Sequence, residues 1–432
     1  MYRVWNFVTN YSLLLIIGAL IALVWANIDA SGYHHFVEYP LIFNNLIGTD
    51  FHHWTEAYGK GYEKFDVGHP ERVLTVHYLI NDVLMAFFFA IAAKEVWEAI
   101  ALKNGSLRGK KAATPLVATA GGMFGPIAVY LGLALILGSE TYTAVARGWA
   151  IPTATDIAFS YLVGRIVFGA GHPAVRFLLL LAIADDAAGL IILAVFYPSG
   201  DLAPEWLLLS LFAAVGVFVF FNWLPRRLDR GDQLRRRSSW VRKNLSFWPY
   251  LIAGALSWFG FQESGLHPAL GLLPIVPTLP HADRAFGIFS EAEQYLTDLL
   301  NHSEHLLKHP VEVILFFFGL ANAGVEFSAI GAPTWLVLAG LLVGKPFGVL
   351  LFGWVAAGPM RLGLPAGMRT SDLFVIGCVA AIGFTVSLFI ASVAFAPGEV
   401  QDAAKMGALL SFFAALISIA AGRLLKVEKR AL

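Results

Sequence analysis

The sequence contains little charge and a single cysteine, and each scarcity excludes a class of protein. Charged residues make up 14% of the 432 residues, whereas a soluble globular domain carries about 25%. The one cysteine, Cys378, lies within an apolar run, so no disulfide framework is expected. The 30 basic and 30 acidic residues cancel, and overall charge therefore gives no indication of nucleic-acid binding.

Long apolar runs are what the sequence has in abundance. Hydrophobic residues make up 58% of the chain, and a membrane-spanning helix needs about 20 mainly apolar residues. The runs predict an all-α polytopic membrane protein in which residues 1–432 form one transmembrane domain of about 12 spans. The predicted spans are 11–27, 74–100, 115–137, 148–168, 173–197, 205–224, 246–262, 264–280, 309–328, 333–356, 371–396 and 402–424.

The distribution of charge between these spans indicates the orientation of the chain. The loops after the second, sixth and tenth spans and the C-terminal end are basic, whereas the short loops between them are mostly acidic. Because cytoplasmic loops carry an excess of Lys and Arg, both termini are predicted to be cytoplasmic. The long 28–73 loop is then periplasmic. Segment 281–308 mixes charged and apolar positions, which predicts a cytoplasmic amphipathic helix.

Two adjacent carboxylates, Asp185 and Asp186, stand near the centre of the fifth predicted span. Ionisable groups at membrane depth are costly, so each is a functional candidate. Two like charges this close cannot both ionise without a compensating cation, and the release of a proton should therefore be coupled to the arrival of a cation. The pair is predicted to be the cation- and proton-binding site of a transporter.

Two other spans are interrupted, one in each half of the chain. In the fourth span Pro152 precedes Thr155 and Asp156, and proline disrupts the helical turn before it. In the eleventh span Gly383 and Thr385 interrupt an apolar run. Paired interruptions are typical of transporters built from inverted repeats. Discontinuous helices are therefore predicted in spans 4 and 11, within repeats formed by spans three to five and ten to twelve.

Further ionisable residues lie within predicted spans. Lys345, followed by Pro346 in the tenth span, is far from both ends of its helix. It should therefore pair with a carboxylate or act as a fixed positive charge opposite the broken helices. In the second span, Asp82 lies at mid-membrane depth and Glu95 approaches the cytoplasmic end.

The segments that carry these residues resemble one known family, in order along nearly the whole chain. They read INDVLMAFFF at 80–89, GWAIPTATDIAF at 148–159, LAIADDAAGLII at 181–192, SGLHPALG at 264–271, ANAGV at 321–325, LLVGKPFG at 341–348 and IGFTVSLFIAS at 382–392. The sequence thus resembles the NhaA-type sodium/proton antiporters. The resemblance implies exchange of Na⁺, and of Li⁺, for protons across the bacterial inner membrane, for sodium and pH homeostasis, with neither a cofactor nor an enzymatic reaction.

The resemblance also implies a role for each matching residue of the transport site. Asp186 matches the essential cation-binding carboxylate of the family, and Asp185 matches its neighbour, which pairs with the lysine of the tenth span, here Lys345. Thr155 and Asp156 match residues at the broken fourth helix, where the carboxylate balances the dipoles of the helix ends. The only metal ion expected at Asp185 and Asp186 is the transported Na⁺.

A second set of matches concerns pH regulation. Asp82 and Glu95 match acidic residues of the second span, and the pair Glu304 and His305 resembles a cytoplasmic acid–histidine pair associated with pH regulation in the family. Glu98 departs from the family pattern, since it falls one position earlier than the second glutamate of that span. The resemblance also implies a homodimer in the lipid bilayer, although the 28–73 loop is longer than the hairpin-bearing loop of the family's dimers.

Two other interpretations of buried paired carboxylates remain open. A sodium-coupled symporter could share this fold. An intramembrane aspartyl protease also uses two buried carboxylates, but it takes them from separate helices and carries a Gly-x-Gly-Asp sequence, which does not occur here. A proteoliposome assay of Na⁺-driven proton flux distinguishes exchange from both.

Overall fold

Helices dominate the fold, as the apolar runs predict. The computed structural model describes residues 13–58, 70–101, 105, 107, 110–230, 236–280 and 299–430. The helices of the first half are α1 (Leu13–Ile28), α2 (Ala30–Val37), α3 (Phe51–Tyr58), α4 (Val76–Ala101), α5 (Lys110–Ile136), α6 (Ser139–Val145), α7 (Ile157–Phe168), α8 (Pro173–Phe196) and α9 (Pro204–Leu228). Those of the second half are α10 (Arg236–Trp240), α11 (Trp248–Glu263), α12 (Leu299–Asn322), α13 (Ala332–Ala357), α14 (Thr370–Ala380), α15 (Phe384–Ala394) and α16 (Glu399–Leu424).

Many of these helices are suited to a bilayer. Within the described ranges, six are long and apolar enough to cross a membrane, or seven if the bent pair α14 and α15 forms one span. The six are α4, α5, α8, α9, α13 and α16. Shorter apolar helices include α1, α7 and the part of α12 from His309 to Asn322. The prediction of an all-α polytopic membrane protein is thus confirmed, whereas the count of 12 spans remains a prediction.

The 28–73 loop contains a small sheet that the sequence did not predict. Strands β1 (Pro40–Asn44), β2 (Thr49–Asp50) and β3 (Arg72–Thr75) pair antiparallel in the order β1-β3-β2. Arg72 forms an ion pair of 2.9 Å with Glu263 at the end of α11. The loop is therefore attached to the helical bundle at the start of α4 and at the end of α11.

Helices α5 and α13 cross at four glycines, and this crossing positions Lys345. A Cβ atom on Gly348 would lie 2.0 Å from the carbonyl oxygen of Gly121, and one on Gly125 would lie 2.3 Å from that of Gly344. Small residues four positions apart let transmembrane helices approach closely. Because Lys345 directly follows Gly344, the close crossing places its ammonium-bearing side chain in the interior of the bundle rather than toward lipid, and the residue is fully buried.

Candidate functional site

Two non-helical stretches of backbone, 154–156 and 381–383, lie against each other in the interior. The first separates a 3-10 turn (Ala146–Thr153) from α7, and the second separates α14 from α15, whose axes differ by 54°. The amide of Asp156 donates to the carbonyl oxygen of Ile382 at 2.7 Å. An amide and a carbonyl that have no partner within their own helices thus satisfy each other. In an apolar environment every backbone polar group requires such a partner.

Lys345 lies beside the first interruption, in contact with Asp185 from α8. Its Nζ atom is 3.1 Å from Oδ2 of Asp185, and both side chains are 0% exposed. The same ammonium donates to the carbonyl oxygens of Thr153 at 2.6 Å and Ala154 at 2.7 Å. These three acceptors match the three hydrogens of the group. The carbonyls belong to the end of the 3-10 turn, where the backbone carries partial negative charge that a cation stabilises.

The two oxygens of Asp185 have different surroundings. Oδ2 accepts the Lys345 contact and a hydrogen bond of 2.6 Å from the Thr155 hydroxyl. Oδ1 is buried and has no hydrogen-bond partner in the part of the chain that the structure describes. A buried carboxylate oxygen without a partner is costly. It is also the kind of ligand that hard cations prefer, so the residues present suit a small alkali cation.

Asp156 joins the two interrupted regions. It caps the N-terminus of α7, where one carboxylate oxygen accepts from the amide of Phe159 at 3.2 Å. The other oxygen accepts a short hydrogen bond from the hydroxyl of Thr385, in the first turn of α15. The N-termini of both helices carry partial positive charge, and the carboxylate between them balances it.

Asp186 follows Asp185 on α8 but faces a different environment. Both carboxylates line a narrow cavity, whose apolar wall includes Phe88 and Phe89 from α4. Asp186 is only partly buried, and within the described ranges its carboxylate forms no hydrogen bond or ion pair. Both oxygens of Asp186 are thus available as ligands, whereas Asp185 offers only its Oδ1.

The charges around this cavity do not cancel. Asp156, Asp185 and Asp186 supply three carboxylates, and Lys345 supplies one ammonium. The other two carboxylates repel a charge on Asp186, whereas the ammonium attracts it. Three ionised carboxylates and one ammonium would leave a net negative charge in the bundle interior, where charge is expensive. A bound cation or bound protons would remove it, and the two therefore compete for the same groups.

The structure places the other sequence-predicted residues away from this cluster. Asp82 lies on α4, with its Oδ1 3.7 Å from Nδ1 of His267, and its backbone oxygen accepts from Trp258 at 2.8 Å. Glu95, on the same helix, lies 3.8 Å from the ammonium of Lys94. Asp82 and Glu95 are each about two helical turns from the cavity-lining phenylalanines of α4. They flank the cavity wall on either side rather than contributing to it.

Two predicted residues can be located only in part. The backbones of Glu304 and His305 belong to α12, whereas their side chains lie outside the described residues. Of the predicted amphipathic segment, residues 281–298 also lie outside them.

Several polar contacts beside the stretches 154–156 and 381–383 were not predicted from the sequence. The Ser387 hydroxyl donates to the carbonyl oxygen of Ile151 at 2.7 Å, and that of Ser160 donates to Val379 at 3.1 Å. Both serines stand within four residues of an interruption, so hydroxyl residues flanking each break were the available signal. His267 lies in the SGLHPALG segment, yet its proximity to Asp82 requires the fold.

Comparison with known proteins shows what this chain is similar to. The model of a family described as "Na+/H+ antiporter 1" matches residues 3–424. A relative named "Na(+)/H(+) antiporter NhaA" from Jannaschia sp. (strain CCS1) is 72% identical over 430 residues, which cover 100% of both chains. Proteins of the same name from Geobacter sulfurreducens and Desulfitobacterium hafniense (strain DSM 10664 / DCB-2) are 42% and 44% identical, over 98% of this chain and 98% and 96% of theirs.

Proposed function

The chain belongs to the Na⁺/H⁺ antiporter 1 family, and from this membership we propose that it exchanges Na⁺ for protons across the bacterial inner membrane, contributing to sodium and pH homeostasis. It is a transporter rather than an enzyme. The observation that carries the proposal is the cluster of Asp185, Asp186 and the fully buried Lys345 beside the non-helical stretches 154–156 and 381–383. Neither the symporter nor the protease interpretation has support from the relatives, whose name specifies exchange.

The proposed architecture has 12 spans with both termini in the cytoplasm. Beyond the six long helices and the bent pair, five further spans are proposed. They are α1, α11, the part of α12 from His309 to Asn322, the irregular segment 264–280, and the 3-10 turn together with α7. The turn with α7 and the pair α14 and α15 are the two discontinuous spans, related as inverted repeats. The alternation of basic and acidic loops supports this arrangement.

The proposed mechanism uses competition between Na⁺ and protons for the paired aspartates. With both groups deprotonated, the cavity-facing carboxylate of Asp186 and the unpartnered Oδ1 of Asp185 coordinate Na⁺. The cation weakens the attraction between Asp185 and Lys345 because it neutralises the same carboxylate. A rocking motion of the repeats exposes the site on the other side, where protons displace the cation. Li⁺, a smaller ion of the same charge, would occupy the same ligands.

The remaining predicted residues support this exchange. Thr155 orients Asp185 through its hydroxyl, and Asp156 keeps the two helix N-termini balanced. Asp82, Glu95, Glu304 and His305 are proposed to take part in pH regulation. For Asp82 and Glu95 this role is supported by their position on α4, the helix that forms one wall of the cavity. A homodimer in the bilayer is the proposed assembly.

The experiment that tests the function is Na⁺-driven proton flux in proteoliposomes. The wild-type protein should exchange Na⁺ and Li⁺ for protons, whereas Asp186→Asn should abolish exchange and still yield folded protein in detergent, because the amide keeps the size of the side chain and removes its charge. Asp201→Asn, in an exposed loop, is the matched control and should exchange at the wild-type rate. Exchange by Asp186→Asn at that same rate would refute the site assignment.

A further inference from the structure

The chain continues past α16 as a short extended segment that turns back onto the bundle. Lys426 adopts a left-handed conformation with φ of 49°, a region that disfavours residues with a Cβ atom. The turn brings Arg430 beside the connection between α7 and α8, where its amide donates to the carbonyl oxygen of Phe168 at 3.0 Å and its carbonyl accepts from Gly171 at 2.9 Å. We call residues 426–430 the C-terminal strap.

The connection between α7 and α8 is shaped to receive this strap. Gly169 has φ of 81°, and a Cβ atom there would lie 2.4 Å from the carbonyl oxygen of Arg430. Only glycine therefore allows the approach. His172, which is buried, caps α8 by accepting from the amide of Ala174 at 3.1 Å, and its ring stacks on Phe168 at 5.3 Å between centroids. The strap, the end of α7 and the start of α8 thus form one packed unit.

A second attachment joins the strap to the segment before α14. The guanidinium of Arg430 packs on Gly367, where a Cβ atom would lie 2.5 Å from Nη1. Nearby, Glu428 and Arg369 form an exposed ion pair of 2.5 Å, which contributes little because solvent screens it. The strap is therefore attached on one side to the α7–α8 connection, by backbone hydrogen bonds, and on the other to the segment before α14, by packing of its guanidinium.

The helices that border these attachments, α7, α8 and α14, carry the transport site or end beside it. Asp156 stands at the start of α7, Asp185 and Asp186 lie on α8, and α14 ends at the second interruption. The strap touches the end of α7, the connection that leads into α8 and the segment that leads into α14, in each case away from the stretches 154–156 and 381–383. We propose that the C-terminal strap is a positioning element of the transport site, holding α7, α8 and α14 as one unit so that the cation ligands keep their spacing through the transport cycle.

This inference rests on the proposed Na⁺/H⁺ exchange and predicts a particular kinetic change. A small cation requires ligands at fixed distances, so loosening their support should weaken its binding before it slows the conformational change. Loss of the strap should therefore raise the Na⁺ concentration at half-maximal exchange. If the support of one or two backbone hydrogen bonds were transmitted in full to the site, that concentration would rise about five- to thirtyfold, which is the upper bound. The maximal rate should stay close to that of the wild type.

Two variants and one control test this in proteoliposomes. A chain ending at residue 425 lacks the strap, and Gly169→Ala keeps it but obstructs its docking. Both should raise the half-saturating Na⁺ concentration. Arg369→Gln removes only the exposed ion pair and should behave as wild type. Unchanged half-saturation in both variants would overturn the proposal, as would a lower maximal rate with unchanged half-saturation. Absence of exchange by the wild type would instead refute the proposed function.

A cross-link distinguishes a positioning element from a gate. Gly171→Cys with Arg430→Cys, in a background where Cys378→Ser removes the native thiol, joins residues already linked by a backbone hydrogen bond. A positioning element works while attached, so the oxidised protein should exchange with the same half-saturation and rate as the reduced one. If oxidation stopped exchange and reduction restored it, the strap would have to detach in each cycle, and the proposal would be wrong.

Discussion

The contact between Lys345 and Asp185 allows the most decisive test of the site, through a double-mutant cycle. Lys345→Met removes the ammonium and its three contacts of 3.1, 2.6 and 2.7 Å. It leaves the buried carboxylate of Asp185 with the hydroxyl of Thr155 as its remaining partner. Removing one member of a buried ion pair costs about 3–5 kcal/mol, because the charge left behind is uncompensated.

The other changes in the cycle should cost less. Asp185→Asn keeps an oxygen that accepts from the ammonium, and the ammonium keeps its contacts with the carbonyls of Thr153 and Ala154. We therefore expect the free energy of unfolding to fall by about 2 kcal/mol, the worth of a hydrogen bond to a charged group. The double variant contains neither charge, and buried pairs replaced by neutral groups are often tolerated. We expect the double variant to lose about 3 kcal/mol less than the sum of the single losses.

The assay is unfolding in detergent at neutral or alkaline pH for the wild type, the two single variants and the double variant. Lys94→Met combined with Asp185→Asn is the control. Lys94 is also a buried lysine, but its ion pair of 3.0 Å is with Glu98 on its own helix, so its effect should add to that of Asp185→Asn. If the Lys345 and Asp185 effects also added within about 0.5 kcal/mol, the pair would contribute no coupling and the reasoning would be refuted.

Two further predictions concern groups around the site. Asp156→Ala should raise the half-saturating Na⁺ concentration, because it leaves the N-termini of α7 and α15 unbalanced; unchanged half-saturation and rate in proteoliposomes would show that Asp156 serves packing alone. Burial lowers the pKa of His172 below its ordinary 6.5, with Arg430 acting in the same direction and Asp372 against it. The unfolded chain therefore binds the proton more readily, and stability should fall as pH decreases from 6.5 through the lowered folded pKa. His172→Asn, which keeps a cap acceptor that does not titrate, should show a smaller fall in thermal stability over that range, and an identical fall would contradict the assignment.

The sequence alone indicated the family, the class of fold and the residues worth testing. Apolar runs identify membrane helices because the cost of exposing backbone or charge to lipid is a property of each segment by itself. For the same reason, Asp185, Asp186 and Lys345 are conspicuous without any knowledge of their neighbours. The interruptions near Pro152 and Gly383 are also local, since proline and glycine disrupt the helix that contains them.

The tertiary structure decided which of these residues meet. The Ser387 hydroxyl donates across 236 positions of the chain to the carbonyl oxygen of Ile151, and no local pattern encodes such a pairing. The structure likewise separated the roles of the two oxygens of Asp185, directed the ammonium of Lys345 onto two backbone carbonyls, and brought the C-terminal strap to the helices of the site. Contacts of this kind depend on how close two backbones can approach, as the glycines at the α5 and α13 crossing illustrate, and that distance exists only once the helices have packed.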